Sequence, residues 1–67
     1  MRIRLNGLVH DLPDGGLVTD ALEHLGLDDP RGIAVALDGE VVPRSRWSTT
    51  HLAEGQAVEV LRAVQGG

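Results

Sequence analysis

The chain has no cysteine, no lysine, no tyrosine and no phenylalanine; Trp47 is its only aromatic residue. Without cysteine, no disulfide and no thiolate zinc site can staple the fold. Without aromatics, the core must be built from Leu, Val, Ile and Ala around one indole. No apolar run is long enough to span a bilayer and no signal peptide is recognisable, so a cytoplasmic protein is expected. All six basic residues are arginine (Arg2, Arg4, Arg31, Arg44, Arg46 and Arg62) against ten acidic ones, for a net charge of −4. An acidic chain with no basic patch interleaved with aromatics argues against a nucleic-acid partner. At 67 residues the chain makes one domain, 1–67, with a narrow stability margin, since a domain of this size buries only about 60% of its unfolded surface.

What is present begins with punctuation. Residues 2–6 alternate polar and apolar, the period of a half-buried strand. Asn6-Gly7 is a strong signal for a two-residue hairpin turn with positive φ, and residues 8–12 return as a second strand. That turn sets the register: Leu5 opposite Leu8 and Ile3 opposite His10 on the inner side, Arg2 near Asp11 on the outer side. Pro13-Asp14-Gly15-Gly16 breaks the chain. A helix is predicted from about Val18 to Leu25, with Val18, Ala21, Leu22 and Leu25 on one face, and Gly26 placed as its C-terminal cap. Thr19 could cap its N-terminus; a start two residues earlier fits equally well.

Asp28 to Gly32 is a turn cluster with a solvated Asp28-Asp29 pair. Ile33, Val35 and Leu37 alternate with Ala34 and Ala36 as a third strand. Asp38-Gly39 is a second hairpin turn into Glu40-Val41-Val42, and Pro43 ends that short strand. Residues 44–52 read as a loop with one turn of helix around Trp47, which either closes one end of the core or anchors a partner. Glu54-Gly55 turns into a last strand from about Gln56 to Val64. The order β-β-α-β-β-β, with one amphipathic helix to cover one face of a mixed sheet, predicts an α+β fold of the β-grasp (ubiquitin-like) type, first and last strands side by side in the sheet centre.

Alternation along the last strand puts Val58, Val60, Arg62 and Val64 on one face and Glu59, Leu61 and Ala63 on the other. Either Leu61 is exposed on the outer face or a bulge shifts the register. With Ala34 and Ala36 also outward, an exposed Leu61 makes a flat, mildly apolar face suited to docking, and Arg62 is a further candidate for partner contact. The three histidines, His10, His24 and His51, have no metal-ligand spacing, and no metal site is expected. His10 reads as a partly buried, hydrogen-bonded residue near the sheet edge.

The sequence ends in Gly66-Gly67. A chain that stops there presents an α-carboxylate flanked by two residues without Cβ, and such a tail, 65–67, can thread a narrow channel. Leu5-Asn6-Gly7, the run from Ala34 to Arg44 containing Asp38-Gly39 and Val41-Val42-Pro43, Trp47 three residues on, and Ala63-Val64-Gln65-Gly66-Gly67 recur in this order in one family. The chain resembles the ThiS family, sulfur carriers of thiamin thiazole synthesis, over its whole length. One departure is Leu17, where such chains often carry a threonine helix cap.

The resemblance implies a carrier, not an enzyme. Gly67 would be adenylated by an E1-like, ThiF-type enzyme using ATP and Mg²⁺. It would then be converted to a thiocarboxylate with sulfur from a persulfide donor such as a cysteine desulfurase. Finally it would deliver that sulfur to a ThiG-type thiazole synthase. Gln65 and Gly66 would enter the partner's active site, and the chain itself would bind no cofactor. The absent lysine and cysteine leave no side-chain amine or thiol to intercept an activated C-terminus. A small subunit of molybdopterin synthase, a ubiquitin-like modifier joined to target lysines, and a plain interaction domain stay open as other readings.

Overall fold

The computed structural model describes residues 1–27 and 29–62. Five strands, β1 (Arg2–Leu5), β2 (Leu8–Asp11), β3 (Ile33–Leu37), β4 (Glu40–Val42) and β5 (Ala57–Arg62), accompany one helix, α1 (Val18–His24), and a 3₁₀ turn at Arg44–Arg46. The sheet order is β2-β1-β5-β3-β4. β1 and β5 run parallel in the middle and the remaining neighbours are antiparallel. This is the expected β-grasp arrangement, with the last strand in the sheet centre.

Both hairpins take their shape from their turn residues. Asn6 and Gly7 have φ of 51° and 84°, and Asp38 and Gly39 have 48° and 85°. Asparagine, aspartate and glycine tolerate this left-handed region, and two such residues in succession match the twist of the flanking strands. The first turn produces the expected register, Leu5 opposite Leu8, Ile3 opposite His10 and Arg2 opposite Asp11. Arg2 Nε lies 3.7 Å from Asp11 Oδ1 with both side chains in solvent, a pair of small energetic weight.

The inner face carries Ile3, Leu5, Val35, Val58 and Val60, and α1 covers it with Val18, Ala21 and Leu22, all buried. Leu12, Val42, Trp47 and Leu52 close the ends of the same core. Trp47 is 4% exposed and its Nε1–H donates to the Val42 carbonyl at 2.8 Å. The indole is therefore a core residue with its one polar atom satisfied. Leu8 departs from expectation. It has the inner register but is 67% exposed, because it sits beside the turn on an edge strand, outside the buried cluster under α1.

The helix begins at Val18, and the earlier of the two expected starts is the one taken: Leu17 rather than Thr19 is the N-cap, in an extended conformation, and its side chain makes no capping bond. Neighbouring chain satisfies the exposed N–H groups instead. Asp20 Oδ2 accepts from Leu17 N–H at 2.7 Å, Val18 N–H donates to Thr50 O at 3.0 Å, and Thr19 N–H donates to Trp47 O at 3.2 Å. The 47–52 loop thus supplies part of what a hydroxyl cap would. At the other end Leu25 is the C-cap rather than the last helical residue. Gly26 follows at φ 75°, the expected left-handed stop.

Candidate functional site

An asparagine and an aspartate side chain, Asn6 and Asp38, position the last strand. Beyond Leu5, β1 has no strand residue to offer β5. Asn6 takes over: its N–H donates to Val58 O at 2.9 Å and its Oδ1 accepts from Val60 N–H at 2.7 Å. On the other side, Asp38 N–H donates to Ala57 O at 2.8 Å, and Asp38 Oδ1 accepts from Ala57 N–H at 2.9 Å. Gln56 Nε2 donates to Asp38 Oδ2 at 3.2 Å. The residue that opens each hairpin turn thus also anchors β5, a role the turn motif alone does not reveal.

The register between β3 and β5 runs without a bulge from Ile33–Arg62 through Ala34–Leu61, Val35–Val60 and Ala36–Glu59 to Leu37–Val58. Leu61 is consequently on the outer face and 68% exposed. Ala34 lies beside it, exposed, and Ala36 beside Glu59, half-buried. Arg62 is exposed but pairs with Ile33, on the register of Val60 and away from the Leu61 face. Two further residues belong to that face. Val41 stands opposite Ala36 and is 76% exposed, and Val9 stands opposite Arg4 and is also exposed. Counting back from the Asp38-Gly39 and Asn6-Gly7 turns would have found both. A shallow depression lined by Arg4, Asn6, Gly7, Glu59 and Leu61 runs along the β1–β5 junction.

A second cleft, between α1 and the 3₁₀ turn, is lined by Thr19, Glu23, Leu27, Pro30, Arg44 and Trp47. Among the described residues no cluster of three or more His, Cys, Asp or Glu could hold a metal ion, and no buried polar side-chain atom lacks a partner. Arg44, Arg46 and Arg62 are at the surface. Asp29 is exposed and gripped by Arg31 through Nε and Nη2, the latter at 2.7 Å. That hydrogen bonding holds the Asp29 carboxyl below its ordinary value. His10 is half-buried and hydrogen-bonded, as its register implies. His51 Nδ1–H donates to Gly15 O at 3.1 Å. Gln65, Gly66 and Gly67, together with Asp28 and with Ala63 and Val64, to which the sequence predicts the last strand to run, lie outside the described residues.

The sequence profile of the ThiS family matches residues 3–67. The chain belongs to the ThiS family. Two solved structures agree with that placement. The crystal structure of the thiamine biosynthesis protein ThiS from Geobacter metallireducens is 30% identical, covers all of both chains and superposes with a TM-score of 0.83. A solution structure of a thiamine biosynthesis protein from the same organism is 32% identical, with a TM-score of 0.80 over all of this chain and 88% of the other. No curated protein matches. For this ThiS-family chain, the described residues form a scaffold with an open sheet face and a rigidly anchored final strand.

Proposed function

We propose that this chain is a sulfur carrier of thiamin biosynthesis, with Gly67 as the residue that carries the sulfur. The observation that supports this most is the family match, which runs through Gly66-Gly67. A carboxylate is inert to a sulfur nucleophile until one of its oxygens becomes part of a good leaving group. In the proposed sequence a Gly67 carboxylate oxygen attacks the α-phosphorus of ATP and pyrophosphate leaves. The outer sulfur of a persulfide donor then displaces AMP at the acyl carbon to give an acyl disulfide. A thiol reductant cleaves its S–S bond and is itself oxidised to a disulfide with the donor, and the thiocarboxylate so released passes its sulfur to thiazole synthase. The E1-like partner supplies Mg²⁺ and the charge stabilisation for the adenylation.

This chain supplies the reacting group and a place to hold it. It acts as a co-substrate rather than a catalyst. Gln65 and Gly66 enter the partner's active site, and the face of Leu61, Ala34 and Ala36 docks, with Val41 extending it; Arg62, on the other side of β5, makes a separate charged contact. Fixing β5 through Asn6 and Asp38 supports this role, because a tail that springs from an anchored strand reaches a partner's centre with less orientational freedom to lose.

The test is intact mass after incubation with ATP, Mg²⁺, the activating enzyme and a sulfur source. Loading should raise the mass by the difference between sulfur and oxygen, at the C-terminal residue alone. Deleting Gly67 should abolish loading, since the carboxylate then falls short by one extended residue, about 3.3–3.6 Å. Sulfur acceptance by the deletion variant would refute the carrier mechanism. Isopeptide conjugates to lysines of other proteins would point instead to a protein modifier.

A further inference from the structure

His10, on the edge strand β2, and His24, the last residue of α1, are fourteen residues apart in sequence. The fold brings His10 Nδ1 to 3.0 Å from His24 Nε2. The ring centroids are 4.9 Å apart and the planes nearly perpendicular, at 81°. We propose that this pair is a two-histidine chelate for a late first-row divalent cation such as Zn²⁺, Ni²⁺ or Cu²⁺, clipping β2 to α1.

The geometry suits one ion held by both nitrogens. Imidazole nitrogen binds zinc at about 2.0–2.1 Å, so two of them on one ion, at angles from square to tetrahedral, lie about 2.9–3.4 Å apart. The observed separation falls in that range, so one ion can sit on both nitrogens once the two rings turn from facing each other to facing it. In the metal-free pair one facing nitrogen carries the hydrogen and the other accepts it. On binding, that hydrogen moves to the other nitrogen of its own ring, and both facing nitrogens turn lone pairs to the ion. Imidazole is a ligand suited to these metals, and water completes the coordination shell.

The surroundings favour a cation. His24 lines a groove it shares with Asp14, Asp20 and Glu23. Asp20 is one helical turn before His24, and neighbours at that spacing share a helix face. Small domains without disulfides gain from a metal clip, and this chain has no cysteine. An ion bound only by the folded state raises stability with its concentration. Sequence spacing concealed the pair, because the two ligands come from different elements.

The chelator-treated chain would be titrated with zinc chloride while its histidine ring resonances and its thermal unfolding are followed. Expected is saturable one-to-one binding, with shifts centred on His10 and His24 and a midpoint that rises with zinc. His24→Ala, at an exposed position, should weaken binding roughly 10²-fold, since the second ligand of a chelate acts at high effective concentration. His24→Gln should do the same, and His51→Ala should bind as the parent chain does. Absence of saturable binding, binding centred on His51, or parental affinity in a folded His24→Ala or His24→Gln variant would overturn the proposal.

Discussion

Asn6 should contribute to stability in two separable ways, and three substitutions divide them. Its φ of 51° lies in the left-handed region, where an ordinary L-residue costs about 1–2 kcal/mol. Its Oδ1 accepts the part-buried Val60 N–H at 2.7 Å, and leaving such a donor unpaired costs about 1–3 kcal/mol. Asn6→Ala loses both and should destabilise by about 2–5 kcal/mol. Asn6→Gly fits the torsion but loses the acceptor and adds unfolded-state freedom of about 0.4–1 kcal/mol. It should fall between Ala and the parent chain. Asn6→Asp keeps an acceptor and a residue that tolerates the torsion, and should stay within about 0.5–1 kcal/mol of the parent. Urea unfolding of the four proteins measures the order directly. Hydrogen exchange at the Val60 amide should quicken in the Gly and Ala variants relative to amides of the β1–β2 hairpin. If Asn6→Gly were as stable as the parent chain, the Asn6–Val60 bond would contribute nothing, and the anchoring of β5 from this side would be wrong.

Leu22 is buried under the sheet, so Leu22→Ala should cost about 2–5 kcal/mol; unchanged thermal stability would remove it from the core. Leu61→Glu, on the open face, should change stability by no more than about 0.5 kcal/mol while weakening binding to the activating enzyme or thiazole synthase in a pull-down or titration. Normal binding to both would refute the docking role. Arg31→Gln should raise the Asp29 carboxyl part of the way to its ordinary value in an NMR titration, because the guanidinium hydrogen bonds are the largest cause of its lowering and the Arg31 backbone N–H, which also lowers it, remains. Since the folded-state value is depressed, any stability from this pair is present at neutral pH and is lost as the pH falls through the lowered value. An unmoved Asp29 titration would show that the pairing does not persist in solution.

The elements were legible in the sequence where chemistry is local. Asn6-Gly7 and Asp38-Gly39 specify their turns because few residue pairs accept two successive positive φ angles, and a two-residue turn dictates every pair behind it. Alternation therefore put Ile3, Leu5, Val35, Val58 and Val60 on one face and Ala34 and Ala36 on the other, while Leu61 stayed open between the outer face and a bulge until the β3–β5 register decided it. The family was legible for a similar reason: its signature is carried by short runs and a terminus, not by a three-dimensional constellation. Tertiary structure decided the rest. Leu8 shares Leu5's register yet stays in solvent, because burial depends on what lies above a strand. The start of α1 is held by Thr50 and Trp47 carbonyls from a distant loop, which no local capping rule can see. Asn6 and Asp38 reach across to β5, and His10 meets His24, because strand order and helix placement bring together residues that sequence spacing keeps apart. Turn torsions and strand periodicity act over a few neighbouring residues, whereas these contacts exist only once the chain has closed its sheet around β5.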